Sequence, residues 1–332
     1  MFKKTTVFVV GAGASHEYGI PIGSGLAEKI GRKLDIRFEG FNDQTGVGDL
    51  DLFNQITSRL QNHSNEYQQA GWLIHNGISY SRSIDEFMES HSSNPYVVEY
   101  GKAAIVKTIL EEEARSKLYI DHRQEIKAFS DEDIKDTWLT KFIRILSSGI
   151  SVEKIGDIFN NVSFIIFNYD RCFETFIFRA LISRFGVSEK IVSELLGSLV
   201  IIHPYGVINS DIPFGMSNVN CVKFSGNIRI YTEQAESVEL IESITSRMAA
   251  ADQIVFLGFS FNDQNMQLLR PPKPGPNLKN VYATTFGMSD SDVSTAAAQV
   301  AAWFNGQATV HFNHHLKCSD LFDEYSKTLT SV

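Results

Sequence analysis

No apolar run in this 332-residue chain reaches the ~18 residues needed to span a bilayer. The longest tracts, Thr5–Val10 and Ser198–Ile202, have the length and β-branched content of buried strands. Cysteine is scarce: Cys172, Cys221 and Cys318 are odd in number and widely scattered, so they form neither a disulfide framework nor a CxxC…CxxC zinc ribbon. Basic residues are outnumbered, 30 against 39 acidic, for a net charge of −9, and no basic cluster is longer than Arg32-Lys33. That lack of a basic face disfavours direct nucleic-acid binding. With only 8 prolines and 23 glycines, a collagen-like or disordered chain is excluded. The charged tip Met1-Phe2-Lys3-Lys4 is followed by too short an apolar stretch for a signal sequence, so a cytoplasmic chain is expected. Hydrophobic residues at 43% and charged residues at 21% describe a globular chain of about two domains, or one large α/β domain with an insertion.

What is present is an interrupted α/β rhythm. Thr5–Val10 reads as a buried parallel strand running into Gly11-Ala12-Gly13-Ala14-Ser15, then a second loop, Gly19-Ile20-Pro21-Ile22-Gly23-Ser24-Gly25. A helix is predicted from about Leu26, capped by Ser24. From about 35 to 150 the pattern turns helical, over 49–61, 64–76, 97–118 and 133–147, with Ser83-Ile84-Asp85-Glu86-Phe87-Met88 as a capped helix start. Strands resume at 163–167, 199–202, 254–257, 280–284 and 308–312, with a helix after the first through about 183 and an Ala-rich helix at 290–303. The segment Arg270-Pro271-Pro272-Lys273-Pro274-Gly275-Pro276 is a loop. The expected fold is α/β: a Rossmann-like, doubly wound, mostly parallel sheet formed by 1–34 and 151–332, with 35–150 as a helical lobe inserted after the first βα unit.

Ligands of open parallel sheets bind beyond the carboxyl ends of the strands, so the residues delivered there are the candidates. The first strand delivers Gly11, Ala12, Gly13, Ala14 and Ser15; the second, Asn168 and Asp170; the third, His203; the fourth, Gly258, Ser260, Asn262 and Asp263. A GxG at a strand–helix junction admits a pyrophosphate to backbone N–H groups; it is also the ordinary means of making a tight corner, and His16 stands where a full GxGxxG needs glycine. Asn168 and Asp170, two apart, point the same way if the strand continues; Asp170 is equally suited to capping the segment that starts at Arg171. His203, before Pro204-Tyr205-Gly206, is a titratable group at a strand end. His63, His75, His91 and His122 lie in helical or loop contexts, and the group His311-Phe312-Asn313-His314-His315 has no adjacent carboxylate and reads as solvated surface, so no metal site is expected.

In this order along the chain, these residues resemble the sirtuin superfamily, and more closely its bacterial sirtuin-like NAD hydrolase branch of antiphage defence. Gly11–Ser15 followed by Gly19-Ile20-Pro21 is similar to the GAGxS…GIP segment, and Phe167-Asn168-Tyr169-Asp170 to the QNID element in its NYD form. His203 falls where that family's catalytic histidine stands. Leu257-Gly258-Phe259-Ser260-Phe261 is similar to the GTS element, Asn262-Asp263 favours the bacterial branch, and Ser83–Phe87 resembles a segment of its helical lobe. The zinc cysteines of protein deacylases are missing, Ile22-Gly23-Ser24 replace the acidic, aromatic and arginine residues that follow GIP, and Phe167 replaces the glutamine.

The resemblance implies hydrolysis of NAD to nicotinamide and ADP-ribose, without zinc or any cofactor beyond NAD as substrate. It implies the pyrophosphate at Ala12–Ser15, with Gly11 and Pro21 beside it. Asn168 orients the ribose or the attacking water, Asp170 binds the carboxamide or steadies developing charge, and His203 is the general base. Gly258, Ser260 and Asn262 fall to the adenosine side. It also implies control by homo-oligomerisation or by a separate protein, such as a HerA-type hexameric DNA-translocating ATPase, because the core and the insertion use up the chain. The competing readings are a module that binds NAD or an ADP-ribose derivative without cleaving it, a protein deacylase, and a nuclease subunit holding magnesium at Asp170 and Asp263.

Overall fold

The computed structural model describes residues 1–39, 43–44, 48–58, 63–120, 129, 131–235 and 237–331. Six strands form one sheet: β1 (Thr6–Val10), β2 (Val162–Ile166), β3 (Ile201–Ile202), β4 (Gln253–Leu257), β5 (Lys279–Thr284) and β6 (Ala308–Asn313). Every pairing is parallel, and the spatial order is β3-β2-β1-β4-β5-β6. The chain winds outward from β1 to one edge, returns to β4 beside β1 and winds to the other. This is a Rossmann-like doubly wound sheet, and the order reverses between β1 and β4. Register sets the depth of the strand exits: Val10 lies level with Ile166 of β2 and Leu257 of β4, and Ile202 lies level with Ile165. Gly11, Phe167 and Gly258 therefore leave the sheet at one height.

All five positions of β1, β2 and β4 are buried. That explains why these strands are apolar without alternation: a parallel sheet is covered on both faces. On one face Val7, Val9, Ile165 and Phe256 share a core with the helices Gly23–Lys33, Ser64–Gly77 and the long Pro95–Arg115. On the other, Phe8, Val10, Phe164 and Val255 meet the helices Trp138–Leu146, Cys172–Phe185 and Cys318–Thr330. Phe8 stacks on Phe164 with ring centres 5.0 Å apart, and Phe142 sets its edge against both at 5.3 and 5.6 Å. Each such ring contributes about 1.5–3 kcal/mol by leaving water. The segment 35–150 contributes to both layers: Leu50–Ser58, Ser64–Gly77, Ile84–Ser90 and Pro95–Arg115 lie on the first face, whereas Trp138–Leu146 packs on the second against Cys318–Thr330. It also carries a two-stranded antiparallel pair, Phe38–Glu39 with Asp43–Gln44.

Local chemistry sets the helix ends. The Ser83 hydroxyl accepts the Glu86 amide at 3.2 Å, and Asn94 accepts the amides of Tyr96 and Val97 just before Pro95 at the first helical position. The helix Gly23–Lys33 departs from the sequence reading. Its cap residue is Ile22, in extended conformation and without a side-chain cap, and Ser24 lies inside the helix. Three further long helices, Glu189–Ser198, Val238–Ala250 and Cys318–Thr330, carry no mark in the sequence reading. Among the described residues no helix is long and apolar enough to cross a membrane.

The β1 and β4 exits touch backbone to backbone. A β-carbon on Gly11 would sit 2.5 Å from the Gly258 carbonyl oxygen, one on Gly13 2.8 Å from Gly258 Cα, and one on Gly258 2.2 Å from the Ala14 nitrogen. Gly258 and Gly287 both have positive φ, +56° and +82°, but nothing lies within 4 Å of a β-carbon at Gly287. Gly287→Ala is expected to lose only the ~1–2 kcal/mol of a left-handed residue. Gly258→Ala also forces the two exits apart and is expected to lose ~3 kcal/mol or more. Urea unfolding measures both, and equal losses would show that the exits are not in contact.

Candidate functional site

At the end of β1 the backbone turns into a single helical turn, Ala12–Ser15, led by Gly11 in extended conformation. Three of its amides are committed within the chain: Gly11 donates to the Leu257 carbonyl at 2.9 Å, Gly13 to that of Gly258 at 3.0 Å and Ala14 to that of Gly11 at 2.9 Å. The glycines of this corner thus allow two strand exits to touch, as a tight corner requires. The Trp138 indole donates to the Ala14 carbonyl at 2.9 Å from the far face, fixing the turn. Ile20 donates to the Ser15 carbonyl at 3.3 Å, which brings the second loop and half-buried Pro21 alongside.

Asn168 and Asp170 converge on Ser15. The Asn168 side-chain nitrogen donates to Ser15 Oγ at 2.9 Å, and the Ser15 hydroxyl donates to Asp170 Oδ1 at 2.9 Å. All three residues are buried. Asp170 Oδ1 also accepts the Cys172 amide at 3.1 Å, at the start of the helix Cys172–Phe185. Capping and convergence, set apart as alternatives by the sequence, are both realised in one carboxylate. Burial pushes the Asp170 carboxyl above its ordinary range, against the hydrogen bonds from Cys172 and Ser15. Because the Asn168 nitrogen is taken, its oxygen faces away, and that buried Oδ1 has no hydrogen-bond partner.

His203 leaves β3, the neighbour of β2. Its Nε2 lies 2.7 Å from Glu174 Oε1, a carboxylate in the first turn of the helix that follows Asp170. The histidine side chain is 12% exposed and that of Glu174 28%. Glu174 was not singled out by the sequence, where its only mark is that of an acid in a helix's first turn. Burial raises both the Asp170 carboxyl and the Cys172 thiol, and the Glu174 charge adds to each rise; Glu174 stands one helical turn after Asp170. Among the described residues six buried side-chain atoms lack a hydrogen-bond partner. Four belong to the carboxyl edge of the sheet: Asn168 Oδ1, Glu174 Oε2, His203 Nδ1 and Thr285 Oγ1, the last just beyond β5. Such groups are normally satisfied, and their concentration at this edge marks the site.

The residues at the β4 exit sit differently. Gly258 donates to Thr284 Oγ1 at 2.9 Å, Ser260 is exposed, and Asn262 caps the helix Asp263–Leu269 by accepting the Asn265 amide at 2.9 Å. Asn262 also reaches Ser260 Oγ at 3.5 Å. No hydrogen bond among the described residues joins this group to Ser15, Asn168 or Asp170.

Two buried clamps hold the β2 exit from the other side. The Arg171 guanidinium is paired with the fully buried carboxylate of Glu113 on the helix Pro95–Arg115, and also donates to the carbonyls of Asn209 and Ile212. Glu113 in turn accepts the Gly215 amide at 3.0 Å. The Tyr169 phenol donates to Asp85, which accounts for the Ser83–Phe87 segment: it sets a carboxylate against the residue between Asn168 and Asp170. Among the described residues no group of three or more His, Cys, Asp or Glu side chains is arranged to hold a metal ion. The chain matches no family model, and no curated protein matches it.

Asp85 keeps some contact with solvent, yet the protein around it pushes its carboxyl up to about 6 by desolvation, above the hydrogen bond from Tyr169 that opposes the shift. A group raised in the folded state stabilises the fold below its ordinary value near 4 and loses that contribution as pH rises through about 6. Asp85→Asn is therefore expected to gain on the wild type from pH 4 to pH 6, by about 1.4 kcal/mol for each pH unit. Urea midpoints across that range measure it; a constant difference would show that Asp85 ionises freely.

Proposed function

We propose that this chain hydrolyses NAD to nicotinamide and ADP-ribose. The observation that carries the reading is the set of unpartnered buried polar atoms at the exits of β2 and β3, the two strands to one side of β1, whose glycine corner stands where strand order reverses. Open α/β sheets bind dinucleotides at that point. The order of motifs along the chain, from Gly11–Ser15 through Asn168–Asp170 and His203 to Gly258–Asn262, supports the same reading.

Breaking the bond between nicotinamide and ribose develops an oxocarbenium-like sugar and releases nicotinamide as a neutral group. The protein must orient one nucleophile and exclude others. In this reading the Asn168 oxygen accepts a hydrogen bond from the ribose or the attacking water. Asp170, engaged with Ser15 and the Cys172 amide, is a positioning residue that fixes the Asn168 amide through Ser15. His203 takes the proton. Gly258, Ser260 and Asn262 lie toward the adenosine half, with the turn Ala12–Ser15 near the pyrophosphate. Because uncontrolled NAD loss would kill the host cell, activity is held in check by self-association or by a partner protein, of which a HerA-type DNA-translocating ATPase is one kind.

The test is incubation of the purified protein with NAD, alone and with the products of neighbouring genes, and identification of the products by mass spectrometry. Nicotinamide and ADP-ribose are expected, and His203→Ala is expected to slow their release by ~10²–10⁴-fold, the contribution of a positioned base. Bound but intact NAD would replace this reading with a binding module, and near wild-type turnover in His203→Ala would remove the base.

A further inference from the structure

We propose that Glu174 is the positioning residue of His203: it holds the ring with Nε2 protonated and leaves Nδ1 as the atom that accepts the proton. What Nδ1 acts on rests on the NAD-hydrolase reading; the pair itself rests on geometry alone.

The carboxylate offers only acceptors, so the 2.7 Å contact requires the hydrogen on Nε2. In a neutral imidazole the lone pair then sits on Nδ1. That atom is buried and meets no donor or acceptor of the protein. Four other histidines show what a ring held through Nδ1 looks like. Nδ1 of His75 pairs with the Gly31 carbonyl at 2.9 Å, that of His91 with Phe87 at 2.9 Å, and that of His16 with Ile20 at 3.3 Å. Nδ1 of His63 pairs with the Tyr96 hydroxyl at 3.0 Å. His203 is turned the other way. A side-chain carboxylate holds its Nε2, and the buried Nδ1 is left without a partner, as is the Asn168 oxygen at the neighbouring strand exit.

Position in the chain reinforces the assignment. Asn168 and Asp170 lie in the connection from β2 to the helix Cys172–Phe185, and Glu174 lies in the first turn of that helix. One stretch of chain therefore fixes the amide that orients the nucleophile and the carboxylate that orients the base. A carboxylate behind an imidazole selects the tautomer and stabilises the imidazolium as it forms.

In the proposed step a water O–H proton passes to Nδ1 while the water oxygen lone pair forms the bond to the ribose anomeric carbon. The bond from that carbon to nicotinamide breaks, and its electron pair stays on the nicotinamide nitrogen, which leaves neutral. The imidazolium, still bonded to Glu174 through Nε2–H, then returns its proton to solvent. The balance is NAD⁺ and water giving ADP-ribose, nicotinamide and a proton.

Two measurements on Glu174→Ala and Glu174→Gln test the role. The first is steady-state kinetics of nicotinamide release under the conditions in which the wild type is active. Here kcat is expected to fall ~10²–10⁴-fold, with KM for NAD changed less than about threefold, since the carboxylate is asked to act only when the base takes charge. The second is the ¹⁵N spectrum of the His203 imidazole in the full-length protein, which reads the tautomer without any reaction. The wild type is expected to show neutral His203 protonated at Nε2, and Glu174→Ala a mixture of tautomers. A wild-type His203 protonated at Nδ1, or variants with unchanged kcat, would overturn the proposal. If the wild type releases no nicotinamide, the NAD-hydrolase reading fails by itself, and the spectrum still decides whether Glu174 sets the ring.

Discussion

The Ser15 hydroxyl is the hinge of the site. It accepts from Asn168 and donates to Asp170, and it can do both only because β1 and β2 leave the sheet at one height. This relay has a direction. Asp170 takes the hydroxyl proton, the hydroxyl oxygen takes the Asn168 N–H, and the Asn168 oxygen is left pointing away with nothing to bond. A buried polar group without a partner is costly, about 1–3 kcal/mol. Here that cost falls on the atom aimed out of the relay, and the fold holds it there through the backbone contact of Gly11 and Gly13 with Gly258.

The helices over 35–150 are part of that support. The long helix Pro95–Arg115 sends Glu113 to Arg171, and the short helix Ile84–Ser90 sends Asp85 to Tyr169. Residues 168–171 are therefore gripped alternately: Asn168 and Asp170 by Ser15, Tyr169 and Arg171 by the helices. The strand has ended at Ile166 and the chain bends at Tyr169 and Asp170, so these four side chains are held in place by their partners and not by strand geometry. Trp138 closes the arrangement from the other layer by bonding to Ala14. Charge on such buried groups is tolerated only because each has a partner.

Much of the fold was legible in the sequence because parallel strands buried on both faces are apolar throughout and end at glycine or polar residues. The strands at 5–10, 163–167, 254–257, 280–284 and 308–312 were each placed within a residue or two, and the Ala-rich helix at 290–303 carries its own cap, Ser289. The helix Glu189–Ser198 was missed although Ser188 caps it, because its apolar residues merge with the strand that follows. Residue type alone points to Ser24 as a cap, whereas Ile22 holds that position in extended conformation and Ser24 lies within the helix. In the site, Asn168 and Asp170 both meet Ser15, although the strand on whose continuation a common direction was conditional has ended at Ile166. Glu174 was invisible, since nothing in a helix's first turn says that a histidine 29 residues on will meet it. Such pairings are set by the sheet's winding, and a single sequence does not show them.

Under the proposed NAD-hydrolase reading, the unpartnered polar atoms at the β2 and β3 exits face a bound dinucleotide. A crystal structure with a non-hydrolysable NAD analogue tests it most directly. The analogue is expected to lie across the β1 and β4 exits, with its nicotinamide ribose within hydrogen-bond distance of the Asn168 oxygen and His203 Nδ1. An analogue seated instead in the groove of about 390 Å³ bounded by Arg270, Pro271, Trp303 and Asn305, with Asn168 and His203 left untouched, would contradict it.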